Sequence, residues 1–455
     1  MGIGRQTRLR KVKNTNKIQL FHFSNSPFSN NTKHMDTDAV TENLILKENV
    51  FVAAEKLRGI IKQTPLEKNT YYSQKYNASI CFKREDLQVV RSYKIRGAYN
   101  KISSLPKEQL INGVVCASAG NHAQGVALSC QLLQTKGHIF MPVTTPKQKV
   151  NRVELLGKGF IEIILTGDTF DECNLQALEF AQSQNVPYIS PFNDQKVIEG
   201  QATVGAEILN ELNKIDYIFV PIGGGGIASG IISLFKELSP ETKIIGVEPQ
   251  GAPAMYESIK ESKIKKLSKI DKFVDGAAVQ QVGDITYSIC KEGLDDMILI
   301  PEGKVCTTLL ELYNQEAIVA EPAGALSVAA LDYYKDKIEG KNIVCIISGG
   351  NNDVMRMEEI KERSLLYEGL KHYFMVIFPQ RPGALKEFVN DVLGPDDNIV
   401  LFEYSKKTNR ESGPALVGIE LKNKKDLSPL TKRMKKLKFF GEYVNNNKLL
   451  FEYLV

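Results

Sequence analysis

An α/β fold on parallel sheets, followed by a smaller antiparallel domain, is the architecture that this 455-residue sequence predicts. Three observations point there. From about residue 44 to residue 330, and again just before residue 348, short apolar runs alternate with helical stretches. Several runs are apolar throughout rather than alternating, as strands covered on both faces are. Three polar, glycine-rich turns each stand at the end of such a run, where open α/β sheets hold their ligands.

Taken in order, strands are expected at 80–83, 113–117, 138–141, 161–165, 217–220, 244–247 and 343–347. At each, β-branched and apolar residues cluster between turn formers. Helices are expected at 121–134, 201–213, 227–238 and 307–316, and their alternation with the strands predicts crossover connections. After Asn352 the pattern changes. Residues 353–370 are charged and helical and read as a connector. Beyond them come a strand at 372–378, a helix at 383–392, strands at 399–404 and 415–421, a helix at 428–436 and a strand at 449–455. That order, βαββαβ, is the ferredoxin-like arrangement, and nothing in it carries catalytic chemistry.

Composition narrows the function classes. At 43% hydrophobic and 24% charged, the chain has the balance of an ordinary globular protein. It has no apolar run of the roughly 18 residues that a membrane span needs, which argues against a membrane role. The formal net charge of +5 is concentrated at the start: residues 1–34 carry seven Lys/Arg and no Asp/Glu, leaving 51 basic against 53 acidic residues elsewhere. The body therefore offers no electrostatic case for nucleic acid. The basic, Ser/Asn-rich head has the look of an organellar transit peptide. The preferred reading is a disordered extension from an upstream start, with Met35 as the true beginning. The seven scattered cysteines (Cys81, Cys116, Cys130, Cys173, Cys290, Cys306 and Cys345) show no C-x-x-C and suit reduced, buried thiols. A cytoplasmic protein is expected, organellar only if the head is a transit signal. The expected division is a head at 1–36, a catalytic part at 37–355, a connector at 356–370 and a second domain at 371–455.

The chemistry gathers on one lysine and the three turns. Lys94, in Ser92-Tyr93-Lys94-Ile95-Arg96-Gly97-Ala98, stands where a helix begins. A lysine amine forms a Schiff base with an aldehyde cofactor, provided that it is neutral. Gly223, Gly224, Gly225 and Gly226 open a helix directly after a strand, so several N–H groups and the helix N-terminus converge on one point. No Gly-Lys-Ser/Thr follows, so this is a phosphate cradle but not a nucleotide P-loop. Ser118, Ala119, Gly120, Asn121 and His122 also lead a strand into a helix. Their small residues expose backbone N–H groups suited to a substrate carboxylate, and Asn121 offers an amide to a ring hydroxyl. His122 invites a general-base role, although a lone histidine at a helix start is more often structural. Ser348 ends a buried strand, where its hydroxyl must find a partner, and a heteroaromatic nitrogen would serve.

Together, Ser92-x-Lys94, Ser118-Ala-Gly-Asn121-His, Gly223–Gly226 and Ser348-Gly-Gly-Asn351 resemble the fold-type-II pyridoxal-phosphate enzymes, and within them the threonine dehydratases (threonine ammonia-lyases). Lys83-Arg84-Glu85-Asp86, Asp275-Gly276-Ala277-Ala278-Val279 and Glu321-Pro-Ala-Gly-Ala325 belong to the same likeness. The stretch around Arg381-Pro382-Gly383-Ala384-Leu385 resembles the ACT-like regulatory module of the biosynthetic members, in the short form with one module. The resemblance implies a two-part body of open twisted parallel sheets with helices on both faces. It implies pyridoxal 5'-phosphate as cofactor. Lys94 would hold the aldehyde, Gly223 to Gly226 the phosphate, Asn121 the ring hydroxyl and Ser348 the ring nitrogen. The substrate would be L-threonine, its carboxylate held at residues 118–122, and the products 2-oxobutanoate and ammonia. It further implies a homo-oligomer, dimer or tetramer, inhibited by isoleucine and open to a valine response. A catabolic serine/threonine dehydratase is the alternative. Serine racemases, also similar, carry a serine where this chain has Ala119, and so have a second base that is missing here. Their divalent-cation site is half present: Glu248 is there, but Ala254 replaces the second acid, so no metal is expected.

Overall fold

The computed structural model describes residues 45–404 and 410–447. The N-terminal part contains β1 (Leu66–Lys68), β2 (Ser79–Arg84), β3 (Val114–Ala117), β4 (Gly137–Met141), β5 (Ile161–Leu165), β6 (Tyr217–Pro221), β7 (Lys243–Pro249), β8 (Asp296–Ile300) and β9 (Asn342–Ile347). These make two separate sheets. The larger has the order β1-β2-β9-β6-β7-β8, parallel except for β1, which pairs antiparallel with β2. The smaller is parallel, in the order β3-β4-β5. All seven expected strands are present. β1 and β8 were not expected, and both are edge strands with partly exposed residues, so neither carries a full apolar run.

Buried strands need cover on both faces, and two apolar clusters supply it for the large sheet. One gathers Phe82, Phe219, Leu326 and Ile347, the other Ile198, Val220, Ile231 and Val344. A third cluster joins the small sheet to the helices Lys94–Ser103 and Asn121–Leu133 through Ile95, Ile102, Val126 and Ile139. The helix that starts at Lys94 therefore bridges the two halves. It also lies against the helix Gln195–Glu211, where a Cβ on Gly200 would come within 2.4 Å of the Arg96 carbonyl. That second helix begins six residues before the expected 201, capped by Asp194, whose side chain accepts the Val197 N–H.

Beneath the bridge is a buried ionic cluster. Arg96, fully buried, holds Glu85 through Nε (2.9 Å) and Nη2 (2.7 Å) and Glu207 through Nη1 (2.6 Å) and Nη2 (2.9 Å). Lys83, also fully buried, donates to Glu207 and to the Thr64 carbonyl, each at 2.6 Å. The Lys83-Arg84-Glu85-Asp86 motif thus serves the packing of the lysine-bearing helix.

The C-terminal part has β10 (Lys371–Pro379), β11 (Asn398–Tyr404), β12 (Ser412–Glu420) and β13 (Phe440–Tyr443), ordered β11-β12-β10-β13 and wholly antiparallel. Helices at 384–392 and Leu427–Lys436 complete βαββαβ, the expected topology. The fourth described strand is Phe440–Tyr443, and the strand expected at 449–455 lies outside the described residues. The connector is the helix Met357–Tyr367. It is more than a linker, because Ile360 is fully buried in the large-sheet core and Thr307 Oγ1 meets Ser364 Oγ at 3.0 Å.

Candidate active site

Lys94 is the first residue of its helix, and the turn before it is tied to the end of β9. Tyr93 donates its N–H to the Ser348 carbonyl at 3.2 Å, and Ser92 bridges to Gly349. Gly125, on the neighbouring helix, lets that helix approach: a Cβ there would come within 3.1 Å of the Lys94 carbonyl carbon. The Lys94 Nζ donates to the Pro191 carbonyl at 2.7 Å and lies 5.2 Å from the Tyr93 ring centre. Burial pushes its pKa down to about 8, partly offset by the Glu321 carboxylate.

Lys94 opens onto a cavity of about 860 Å³, which Ser118, Ala119, Gly120, Asn121 and His122 also line. Gly223, Gly224, Gly225 and Gly226 face the same space. Ser348 is not among the lining residues, although Asn351 and Asn352 are. It is 3% exposed, and its hydroxyl meets no partner among the described residues.

The glycine loop follows β6 and feeds the helix Gly226–Leu238. Ile222 is the last residue there to donate its N–H to a backbone carbonyl, that of Val247. The N–H groups of Gly223 through Gly226 meet no acceptor among the described residues, leaving a row of donors at a helix N-terminus. Gly225 has φ +88°, and a Cβ on Gly224 would lie 2.2 Å from the Phe192 ring. The N–H groups of Ala119, Asn121 and His122 are likewise free, while Gly120 donates to Ser118 Oγ at 3.2 Å. The His122 ring holds the Ile189 carbonyl through Nε2 at 2.8 Å. Burial, reinforced by Lys94, pushes its pKa down to about 3, so it is neutral and structural rather than a base.

Sequence reasoning gave no role to Glu321 or Asn351. Glu321 precedes the helix Pro322–Ala329, is 5% exposed, and accepts from Asn121 Nδ2 at 2.6 Å. Burial pushes its pKa up to about 7, with Asp275 adding to the shift. Asn351 Nδ2 donates to Asn121 Oδ1 at 2.7 Å. The available signal was the position of Glu321 before Pro322 at a helix start. Glu248, half of the cation motif, accepts the N–H groups of Met255 and Tyr256 at 2.8 Å each and so caps the helix Ala254–Lys260.

Two sheets meeting at a lysine, with a glycine loop of free N–H groups at a strand end, define a class, and comparison places the chain in it. Residues 57–349 match the pyridoxal-phosphate-dependent enzyme family, to which the chain belongs, and residues 362–454 match the C-terminal regulatory domain of threonine dehydratase. It is similar to the L-threonine dehydratase biosynthetic IlvA of Halalkalibacterium halodurans, 56% identical over 90% of this chain and 99% of the relative. The protein of that name from Bacillus subtilis is 55% identical over 90% of this chain and 98% of its own length. Among solved structures, processed threonine deaminase isoform 2 of Solanum lycopersicum superposes with TM-score 0.66 at 39% identity, covering 71% of this chain and 95% of that one. Maize serine racemase follows with TM-score 0.65 at 30% identity, covering 70% and 98%.

Proposed function

We propose that this chain is a pyridoxal 5'-phosphate-dependent lyase that converts L-threonine into 2-oxobutanoate and ammonia, the entry step to isoleucine, and that isoleucine inhibits it through the C-terminal domain. The observation that carries the reading is one cavity holding both a lysine of lowered pKa and a row of four free N–H groups. A phosphate-bearing aromatic aldehyde fits that pair, and the unpartnered Ser348 hydroxyl offers its ring nitrogen a neutral donor. When bound, the cofactor supplies an electron sink for the α-carbon.

The chain's own residues do the rest. Gly223 to Gly226 would hold the phosphate, and Asn121 the ring hydroxyl. The free N–H groups of Ala119, Asn121 and His122 orient the substrate carboxylate. Lys94 would anchor the cofactor's aldehyde and, as a free amine, would be the base that takes the substrate's α-proton. Ser348 would offer the ring nitrogen a neutral hydroxyl in place of a carboxylate, which would suit elimination chemistry. Ala119 brings only a methyl group to the cavity, so elimination wins over racemisation.

The C-terminal match favours the biosynthetic, regulated enzyme over a catabolic one. Among the described residues, edge strand β11 leaves Val400, Phe402 and Tyr404 exposed beside unpaired backbone, which supports assembly into a dimer or tetramer. The cysteines of the sequence are all free and buried, as suits the cytoplasm. Among the described residues, no helix is long and apolar enough to cross a membrane. A keto-acid assay with threonine and serine, each with and without isoleucine, tests the whole reading. Threonine turnover that isoleucine suppresses is expected, and Lys94→Ala should abolish both turnover and visible absorbance. A purified wild-type chain that stays colourless with added pyridoxal phosphate would sink it.

A further inference from the structure

Asn121 is held by a one-way relay of hydrogen bonds. The Val90 carbonyl can only accept, so the group 2.9 Å away must be the Asn351 amide nitrogen. That nitrogen also donates to Asn121 at 2.7 Å, which fixes the Asn121 oxygen on the Asn351 side. The Asn121 nitrogen then faces Glu321 Oε1 at 2.6 Å. An amide carries two N–H donors, so one remains for a ligand in the cavity. The carboxyl sits in a tight slot, where a Cβ on Gly349 would come within 2.3 Å of Oε1 and one on Gly276 within 3.4 Å.

We propose that Glu321 is a positioning residue: ionised, it terminates the Val90–Asn351–Asn121 relay and so aims the remaining Asn121 N–H at the cofactor's ring hydroxyl. This rests on the assignment of the cavity to pyridoxal phosphate. Protonated, Glu321 would keep one acceptor oxygen but lose the charge that strengthens the bond from Asn121, so the relay would hold Asn121 less firmly. The charged groups acting on the carboxyl are Asp275, which favours protonation, and Lys149, which opposes it, while Glu321 raises the proton affinity of Lys94. Its midpoint of about 7 puts the switch inside the working range.

The experiment titrates the full-length cofactor-free chain with pyridoxal phosphate between pH 6 and 8.5, reading visible absorbance and Kd. Wild type, Glu321→Gln, Glu321→Ala, Asn121→Ala and the double Ala variant are compared, with circular dichroism as the check on folding. A glutamine presents the same acceptor and donor as the protonated carboxyl, so Glu321→Gln should bind about threefold more weakly than wild type at pH 8 and match it below pH 7. Glu321→Ala should raise Kd about tenfold, and that effect should vanish in the Asn121→Ala background. Equal effects of Glu321→Ala in both backgrounds, or the same pH profile in Glu321→Gln as in wild type, would overturn the proposal. A wild-type chain that binds no pyridoxal phosphate would instead overturn the cavity assignment.

Discussion

A lysine that must react as a free amine is useful only if its environment holds the proton loosely, and at Lys94 burial does this against the pull of Glu321. The sign follows directly. With a folded pKa near 8 instead of the usual 10.5, the neutral fraction rises about tenfold per pH unit below 8 and levels off above it. The rate at which the cofactor-free chain develops visible absorbance with pyridoxal phosphate should therefore climb from pH 6 to about 8 and then flatten. Stopped-flow mixing across that range is the check, and a rate still climbing at pH 10 would return Lys94 to the behaviour of a solvated surface lysine. His122 cannot produce this profile, since its own pKa lies far lower and its ring is committed to Ile189.

The elements deliver these residues by close approach and by buried charge. Gly224→Ala would drive a Cβ to 2.2 Å from Phe192, so the loop must shift and its row of N–H groups lose convergence. Cofactor affinity should fall at least tenfold in an equilibrium titration, with the far-ultraviolet dichroism unchanged. Arg96→Met acts differently, leaving Glu85 and Glu207 without their shared partner under the Lys94 helix. Removing one side of a buried ion pair costs about 3–5 kcal/mol, so urea unfolding should show a loss of that order. Much of this was legible beforehand. Strands such as β6 and β9 announce themselves as unbroken apolar runs, and the three turns announce their ligands by free donors. What stayed hidden depends on distance along the chain. β2 pairs with β9 across most of the N-terminal part, and Glu321 meets Asn121 from 200 residues away. β1 and β8, at the sheet edges, are too exposed to show a pattern.

Across the whole molecule, a continuous line of contacts runs from the C-terminal domain to the cavity wall. On the connector helix, Glu362 accepts from Tyr373 of β10 at 2.6 Å and pairs with Lys371. Arg363 and Arg356 both lie over the Phe273 ring, and Arg356 also donates to the Phe273 carbonyl at 2.7 Å. Asp275, two residues on, lines the cavity and pairs with Lys149 of the small-sheet half at 2.9 Å. Contiguity alone does not establish coupling, so the test has to separate the effector domain from the connector. Ile360 is fully buried in the large-sheet core, which makes the connector helix part of the catalytic body, and the cut belongs after Gly369. A chain ending at Gly369 should fold, form 2-oxobutanoate from threonine within a few-fold of the full-length rate, and ignore isoleucine. A chain ending at Asn352 lacks the helix, exposes the core around Leu309 and Leu331, and should unfold at clearly lower temperature. Isoleucine inhibition that survives the Gly369 cut at the same midpoint would place the effector site in the catalytic body and remove the regulatory role from β10–β13.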